Sequence, residues 1–224
     1  MDHLLTFSKC SAIYLFRQWM NKQLKRGFDL IFSISCLLIG FPFYLLIALG
    51  ILYSSPGKIF YSHIRIGKGG KSFRCYKFRT MYKNADQRLQ EILNSNSDLK
   101  KEWESCYKLK QDPRVTPFGR FLRKTSLDEL PQFWNVIKGD LSVVGPRAVV
   151  QEELDKFFGP KAQKILSIRP GLTGLWQISG RSDIHCYQKR IELDEYYVDH
   201  YSLLLDLKLI VKTIPSMICA KGAY

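Results

Sequence analysis

Residues 28–53 constrain this chain more than any other stretch. They carry a single charge, Asp29, and are long enough for a membrane-crossing helix, which takes about 20 apolar residues. Gly40-Phe41-Pro42 falls in the middle. Proline removes a backbone N–H and clashes with the preceding turn, so a break is expected at Pro42. Basic residues flank the stretch on both sides: Lys22, Lys25 and Arg26 before it, Lys58, Arg65, Lys68 and Lys71 after it. A crossing helix concentrates its basic flank on the cytoplasmic side. Symmetric flanks instead favour a helix-break-helix that enters and leaves by the same face. The arm before the break, about 14 residues and about 21 Å, is shorter than the roughly 30 Å hydrocarbon core. A kinked crossing helix and a buried core helix are the alternatives. Asp29 beside Lys25 and Arg26 reads as an interfacial ion pair that pins the segment.

The remaining length suits one further domain. The expected organisation is an amphipathic segment at 1–23, the re-entrant membrane segment at 24–55 and a cytosolic or interfacial domain at 56–224. The 34 basic and 20 acidic residues give a formal charge of +14. Such an excess suits an anionic partner: nucleic acid, anionic lipid or a phosphorylated substrate. Six cysteines are scattered with no C-x-x-C pair, which argues against a zinc site and against a disulfide framework. A reducing, cytosolic environment follows.

Along the chain, residues 59–66 and 73–78 read as strands joined by Gly67-Lys68-Gly69-Gly70, a hairpin. Residues 58–83 hold eight Lys or Arg and no acid, interleaved with Tyr61, Phe73, Tyr76 and Phe78. That pattern fits single-stranded nucleic acid, anionic headgroups or merely a solvated basic hairpin. Two helices are expected over 84–110, broken near Asn94-Ser95-Asn96-Ser97, and a short amphipathic helix over 118–124 presents Arg120 and Arg123. Residues 141–145 read as a strand. Residues 151–167 read as a helix interrupted at Gly159-Pro160. The loop Arg169-Pro170-Gly171-Leu172-Thr173-Gly174 is of a kind that brings backbone N–H groups to a phosphate, although most such loops are only turns. A strand at 175–178 and helices over 184–201 and 203–217 complete an α+β, mainly helical chain with interfacial amphipathic helices around a small domain. Asp206 lies among leucines, where an acid is paired, exposed or functional.

Residues 126–132, Ser-Leu-Asp-Glu-Leu-Pro-Gln, place two adjacent acids in a strongly basic neighbourhood that includes Arg114, Arg120, Arg123, Lys124 and Arg147. Ser126 with Glu129 three residues on has the form of a capping box. Leu130, Phe133, Trp134 and Ile137 then form one helical face that ends at Gly139. Two readings stand: Glu129 caps and Asp128 complements the helix dipole, or the acids attack or hold a metal while arginines hold a phosphate.

Taken together, the motifs resemble the bacterial sugar transferase family, the monotopic phosphoglycosyl transferases, and in particular undecaprenyl-phosphate galactose or glucose phosphotransferases. The resemblance runs from about residue 25 to 217. It rests on Lys25-Arg26-x-x-Asp29, Ser55-Pro56-Gly57, Tyr76-Lys77-Phe78-Arg79-Thr80-Met81, Asp112-Pro113-Arg114-Val115-Thr116, Arg123 through Gln132, Val144-Gly145-Pro146-Arg147, Pro170 through Gln177 and Tyr201-Ser202-x3-Asp206. It implies transfer of a hexose 1-phosphate from a UDP-sugar to undecaprenyl phosphate with release of UMP, a Mg²⁺ ion, and a re-entrant helix in the bacterial inner membrane with a cytosol-facing site. Phospholipid is then a further partner, nucleic acid is not, and a homodimer is open. Carried over residue by residue, Asp128 resembles the nucleophile of a covalent phosphosugar intermediate and Glu129 its partner acid. Arg114, Arg123, Arg147, Thr173 and Arg181 correspond to substrate or phosphate contacts. Asp128, Glu129 and Asp206 correspond to metal-side acids, with Asp194 an alternative support to Asp206. The chain departs from the family pattern at Phe41-Pro42, where Ser-Pro is usual, and at Pro146-Arg147-Ala148, where Pro-Arg-Pro is usual. A basic membrane-attached nucleic-acid-binding protein and a catalytically silent adaptor are the competing readings.

Overall fold

The computed structural model describes residues 2–106, 109, 111–179 and 187–218. In order they form α1 (Asp2–Ser54), β1 (Phe60–Ile66), β2 (Ser72–Phe78), α2 (Ala85–Ser95), α3 (Ser97–Cys106), α4 (Pro117–Lys124), α5 (Gln132–Lys138), β3 (Ser142–Val144), α6 (Gln151–Phe157), α7 (Lys161–Ile165), β4 (Gly171–Thr173), α8 (Leu175–Ile178), α9 (Tyr187–His200) and α10 (Leu203–Ile218). The chain is mainly helical α+β, as expected from the sequence.

The expected break at Pro42 does not divide α1 into two helices. The helix continues through Pro42 and also joins the amphipathic N-terminal segment to the apolar one. One proline cancels a single hydrogen bond and crowds a single turn, while the bonds on either side survive. Met20–Ser54 is long and apolar enough to cross a membrane. One face of its middle is uncovered, with Ile31, Leu38, Ile39, Phe41, Phe43 and Leu46 all exposed, while Ser33 on the other face is buried. Its two flanks, however, both dock on the same body. Near the start, Arg26 donates to the carbonyls of Val136 at 2.7 Å and Ile137 at 2.9 Å, in the last turn of α5. Further on, the Phe32 ring meets Phe133 at 6.1 Å, and the Tyr44 hydroxyl donates to the Leu130 carbonyl at 3.3 Å. Ile47 and Ile51 then pack with Phe78 and Leu122 in one core cluster.

Lys25, Arg26 and Asp29 do not form the expected ion pair. Positions 25 and 29 share a helix face, and that face is turned to the body. Asp29 is buried and accepts from the Ser142 hydroxyl at 2.8 Å and the Val143 amide at 3.1 Å. Lys25 reaches past β3, donating to the Val144 carbonyl at 3.0 Å and to Asp206 at 2.6 Å. Polar groups at the end of a short strand need partners once buried, and these side chains supply them. The motif clasps α1 to the domain.

Strands β1 and β2 pair antiparallel from Phe60↔Phe78 to Ile66↔Ser72. The turn between them uses Gly69 and Gly70 at φ 67 and 77, a region glycine enters without steric cost. The basic hairpin is less of a free surface than its composition implied. Arg79 donates to the Ser55 and Pro56 carbonyls, Arg65 to the Ala148 carbonyl, and Lys77 turns toward Asp128 and Glu129.

Strands β3 and β4 pair in parallel, Ser142 opposite Gly171 and Val144 opposite Thr173. The Gly145 amide donates to the Thr173 carbonyl at 2.9 Å and the Gly171 amide to the Pro146 carbonyl at 2.8 Å. A Cβ at Gly145 would lie 2.7 Å from the Arg169 carbonyl oxygen, and one at Gly171 would collide with the Gly145 amide. These glycines therefore serve close backbone approach, and their N–H groups are spent on strand pairing, not offered to a phosphate. Residues 175–178, expected as a strand, are helical as α8, and the strand lies just before, at β4. A four-residue apolar run carries too few turns for periodicity to decide between the two. Around this small sheet, Val136, Leu141, Val143, Val144, Tyr197 and Leu209 form the central core.

Candidate active site

The acids are delivered by a short helix, a strained residue and a tight turn. Thr116 caps α4, accepting from the Gly119 amide at 2.8 Å, with Pro117 at the first helical position. Gly119 lets α4 pass directly against the Thr80 backbone, which a Cβ there would strike. In the last turn of α4, Arg123 Nε donates to Thr80 Oγ1 at 2.9 Å. Ser126 follows in the left-handed region, at φ 57 and ψ 16. A non-glycine residue in that region costs on the order of 1 kcal/mol or more and is held only where its surroundings over-determine it. Residues Leu127–Glu129 then form a single 3₁₀ turn.

The capping box expected at Ser126 is therefore absent. Ser126 makes no capping hydrogen bond, and the α-helix begins only at Gln132, after Pro131. Pro131 has no N–H to continue an i→i−4 ladder from Leu127, so the chain makes a tight turn first. The helix does stop where expected, at Gly139 with φ 90.

In this turn Asp128 is 8% exposed. Lys77 Nζ, from β2, lies 2.7 Å from Glu129 Oε1 and 3.6 Å from Asp128 Oδ2. Burial pushes the Asp128 carboxyl above the usual carboxylate range, and Glu129 adds to the rise, while Lys77 and Arg123 pull it part of the way back. Burial also works against the Lys77 ammonium, but Glu129 and Asp128 outweigh it and hold the amine above its ordinary range. The lysine thus stays cationic between two acids. Besides Nε, the Arg123 nitrogens make no hydrogen bond among the described residues, so they are available to an anion facing Asp128.

The other expected site residues are placed as follows. Arg114 is buried and forks onto Asp112, Nε to Oδ1 at 2.8 Å and Nη2 to Oδ2 at 2.7 Å, with its guanidinium 5.0 Å from the Trp103 ring. Thr173 points inward, its hydroxyl 2.7 Å from that of Thr213. Asp206, fully buried, is held by Lys25 and by the Tyr197 hydroxyl at 2.6 Å, beneath β3 and not beside Asp128. Arg147 stacks over Trp176 at 4.8 Å, and Arg190 lies over the same ring at 4.9 Å. Arg181 lies outside the described residues. The structure thus gathers Asp128, Glu129 and Arg123, and adds Lys77, which the sequence reading placed in a motif without a role. A lysine inside a strand on the same face as buried Cys75 was the available signal.

The bacterial sugar transferase family matches residues 20–220. The chain belongs to that family. The sugar transferase is 48% identical over 200 residues to the exopolysaccharide production protein ExoY of Sinorhizobium fredii, covering 89% of this chain and 88% of that one. It is 44% identical over 204 residues to the undecaprenyl-phosphate galactose phosphotransferase of Salmonella typhimurium, and 42% identical over 204 residues to the UDP-galactose-lipid carrier transferase of Erwinia amylovora. Each of these two alignments covers 91% of this chain but 42% of the longer relative.

One buried acid of the sugar transferase lies apart from the pair. Asp194 is 1% exposed, and neither oxygen has a hydrogen-bond partner of good geometry among the described residues. Burial pushes its carboxyl up to about 7, with Arg190 and the Arg147 backbone pulling the other way. The folded state therefore holds this proton more tightly than the unfolded chain, whose value is near 3.9, so stability falls as pH rises from about 4 to about 7. Asp194→Asn is expected to remove that part of the slope and to raise the melting temperature at pH 8. Parallel pH-melting curves for the two proteins check this, and identical slopes would contradict it.

Proposed function

We propose that this sugar transferase moves a hexose 1-phosphate from a UDP-sugar to undecaprenyl phosphate, releasing UMP, as the first membrane step of exopolysaccharide or capsule assembly. The observation that carries the reading is a buried carboxyl, Asp128, paired with Lys77 and within the electrostatic reach of Arg123, in the tight turn that follows strained Ser126 and beside the apolar helix α1. The relatives named for a lipid-carrier transferase and for an undecaprenyl-phosphate phosphotransferase support the acceptor.

In the first step an Asp128 oxygen attacks the β-phosphorus of the donor. The bond from that phosphorus to the bridging oxygen breaks, and UMP leaves with the electron pair. In the second step a phosphate oxygen of undecaprenyl phosphate attacks the phosphosugar, and the Asp128 carboxylate is released. A carboxylate nucleophile divides the transfer so that nucleotide and lipid never need to occupy the site together. Lys77 keeps Asp128 ionised and positioned, while the uncommitted N–H groups of Arg123 meet the negative charge developing on the phosphoryl oxygens. Glu129 holds Lys77 in place.

Mg²⁺ fits this arrangement in a limited way. The ion is commonly bound through one or two carboxylates with substrate phosphates completing its shell. The described residues hold no cluster of three or more acidic, histidine or cysteine groups, so Asp128 and Glu129 would be its protein ligands and the diphosphate would supply the others. When bound, it supplies charge neutralisation between donor and carboxylates.

We further read α1 as re-entrant in the bacterial inner membrane, with the active site facing the cytosol. Support comes from contacts at both ends of its apolar part, Arg26 before it and Tyr44 and Ile51 after Pro42, which dock on one body while the face bearing Leu38, Ile39, Phe41 and Phe43 is exposed and apolar. A helix crossing roughly 30 Å of hydrocarbon would carry its ends to opposite faces. Single cysteines introduced at positions 22 and 57 should both label from the cytosolic side. Labelling of position 57 only from outside would mean a crossing helix.

For the reaction, purified protein in detergent with Mg²⁺, undecaprenyl phosphate and a panel of radiolabelled UDP-sugars should yield a lipid diphosphate sugar and UMP. No product with any UDP-sugar would overturn the assignment.

A further inference from the structure

Strand β2 ends at Phe78, and Thr80 follows it into contact with α4. The Thr80 main chain is fixed there: its carbonyl accepts from the Thr116 amide at 3.0 Å, and Met81 next to it bridges Val115. The Thr80 side chain is buried. Gly119 and Arg123 are four residues apart and share one face of α4. Because Gly119 has no Cβ, that face lies directly on the Thr80 backbone, and Arg123 reaches Thr80 Oγ1 with Nε at 2.9 Å. This is the one side-chain hydrogen bond that Arg123 makes among the described residues, and it has no ion pair there. Asp112, whose field Arg123 also feels, is already engaged by the two-bond fork of Arg114.

A guanidinium can be aimed in two ways. A carboxylate on Nε fixes its plane but also cancels its charge. A hydroxyl fixes the plane through one bond to a neutral oxygen, and the full positive charge and both Nη groups remain for another anion. Arg123 is held in the second way. Burial works against its charge, and Asp128 is the strongest influence in favour of it. A donor already aimed when charge develops needs no reorganisation at that moment. Lys77, three residues before Thr80, meets Asp128 and Glu129. One run of chain, 77–80, therefore sets both cations of the acid pair, one by direct contact and the other through a threonine.

We infer that Thr80 is a positioning residue for phosphoryl transfer: its hydroxyl holds Arg123 by Nε, so that the uncancelled Nη groups face the phosphoryl oxygens brought to Asp128. The role rests on the reaction proposed above, whereas the hold does not, and the two are measured separately. For the hold, ¹⁵N-arginine NMR in detergent follows exchange of the Arg123 Nε proton, assigned by its loss in Arg123→Lys. Thr80→Val removes the acceptor and keeps the branched shape, so it should speed that exchange by about tenfold or more, while Thr80→Ser should leave it slow. Equal exchange in Thr80→Val and wild type would overturn the hold, whatever the protein catalyses. For the role, Thr80→Val should lower kcat by about 10–100-fold, the scale of a misplaced catalytic group. KM for the UDP-sugar should stay within about threefold, because the lost interaction belongs to the transition state. Thr80→Ser should bring most of the rate back. Thr80→Asp should keep the Nε proton protected yet lose at least as much kcat as Thr80→Val, because it cancels the charge. With radiolabelled donor alone, Thr80→Val should label more slowly but reach the wild-type stoichiometry. An unchanged kcat in Thr80→Val, a wild-type kcat in Thr80→Asp, or a lower stoichiometry reached at the normal rate (the mark of a partly unfolded sample) would each overturn the role. A protected Nε proton in a wild-type protein that transfers no sugar would overturn the reaction and the role with it, and leave the hold standing.

Discussion

Asp128→Asn should lower transfer by about 10⁴-fold or more, the scale seen when a nucleophile is removed from a group that works as a unit. The same change should leave the melting temperature at pH 8 unchanged or higher. Burial raises the Asp128 carboxyl above its usual range, so ionising it in the folded protein costs stability that a neutral amide does not lose. Lys77 keeps Glu129 as a partner in the variant, at 2.7 Å, so no cation is stranded. Incubating wild type with radiolabelled donor alone, then denaturing it, should leave label on the protein, and the variant should carry none. Label retained by Asp128→Asn would remove Asp128 from the role of nucleophile. The pH dependence follows from the same shift. Activity needs the carboxylate, so it should fall as pH drops through a value above the ordinary carboxylate range.

Lys25→Met should be the most destabilising single change in the clasp between α1 and the domain. Asp206 is fully buried, and Lys25 is its only ion-pair partner among the described residues. Removing one partner of a buried pair typically costs about 3–5 kcal/mol, because the other charge is left uncompensated. For a domain of this size that is a fall of about 6–20 °C in melting temperature. Burial already lifts the Asp206 carboxyl, with Lys25 the strongest influence pulling it down and Tyr197 assisting. Without Lys25 the carboxyl rises further. The deficit should therefore be largest at pH 8 and shrink as pH falls through the raised value and Asp206 takes up a proton. Lys25→Met/Asp206→Asn should recover much of the loss, since a neutral amide can still meet the Tyr197 hydroxyl. A single variant as stable as wild type at pH 8 would refute the pairing.

Much of the architecture was legible because it is local. Gly67–Gly70 between alternating runs marked the hairpin, Asn94–Ser97 marked the gap between α2 and α3, and Gly159-Pro160 separated α6 from α7. Gly139 marked the end of α5. The errors come where two physical solutions share one pattern. Ser-x-x-Glu also occurs where Pro131 prevents the helix from starting, and four apolar residues at 175–178 suit a strand and a single helical turn alike. Pro42 within an apolar run read as a division, yet the helix continues through it. At the site, Asp128, Glu129 and Arg123 are close in sequence and were found together. Lys77 is 52 positions from Glu129, and only the packing of β2 against the 3₁₀ turn brings it there. The same holds for Lys25 and Asp206: each looked like a separate membrane or metal residue until the fold made them partners.

That pairing also sets an order on how the chain can be made. Residues 25 and 206 are 181 positions apart, so α1 leaves the ribosome long before its counter-charge exists. Contacts of such separation close late, after much of the chain's freedom has already been lost. Until α10 arrives, Lys25 has the Val144 carbonyl and the Tyr197 ring but no counter-charge, and the central core around Tyr197 and Leu209 is incomplete. Helices α1 and α10 are thus obligate partners, and a nascent chain halted anywhere before residue 206 should be a substrate for quality-control proteolysis, not a partly working enzyme.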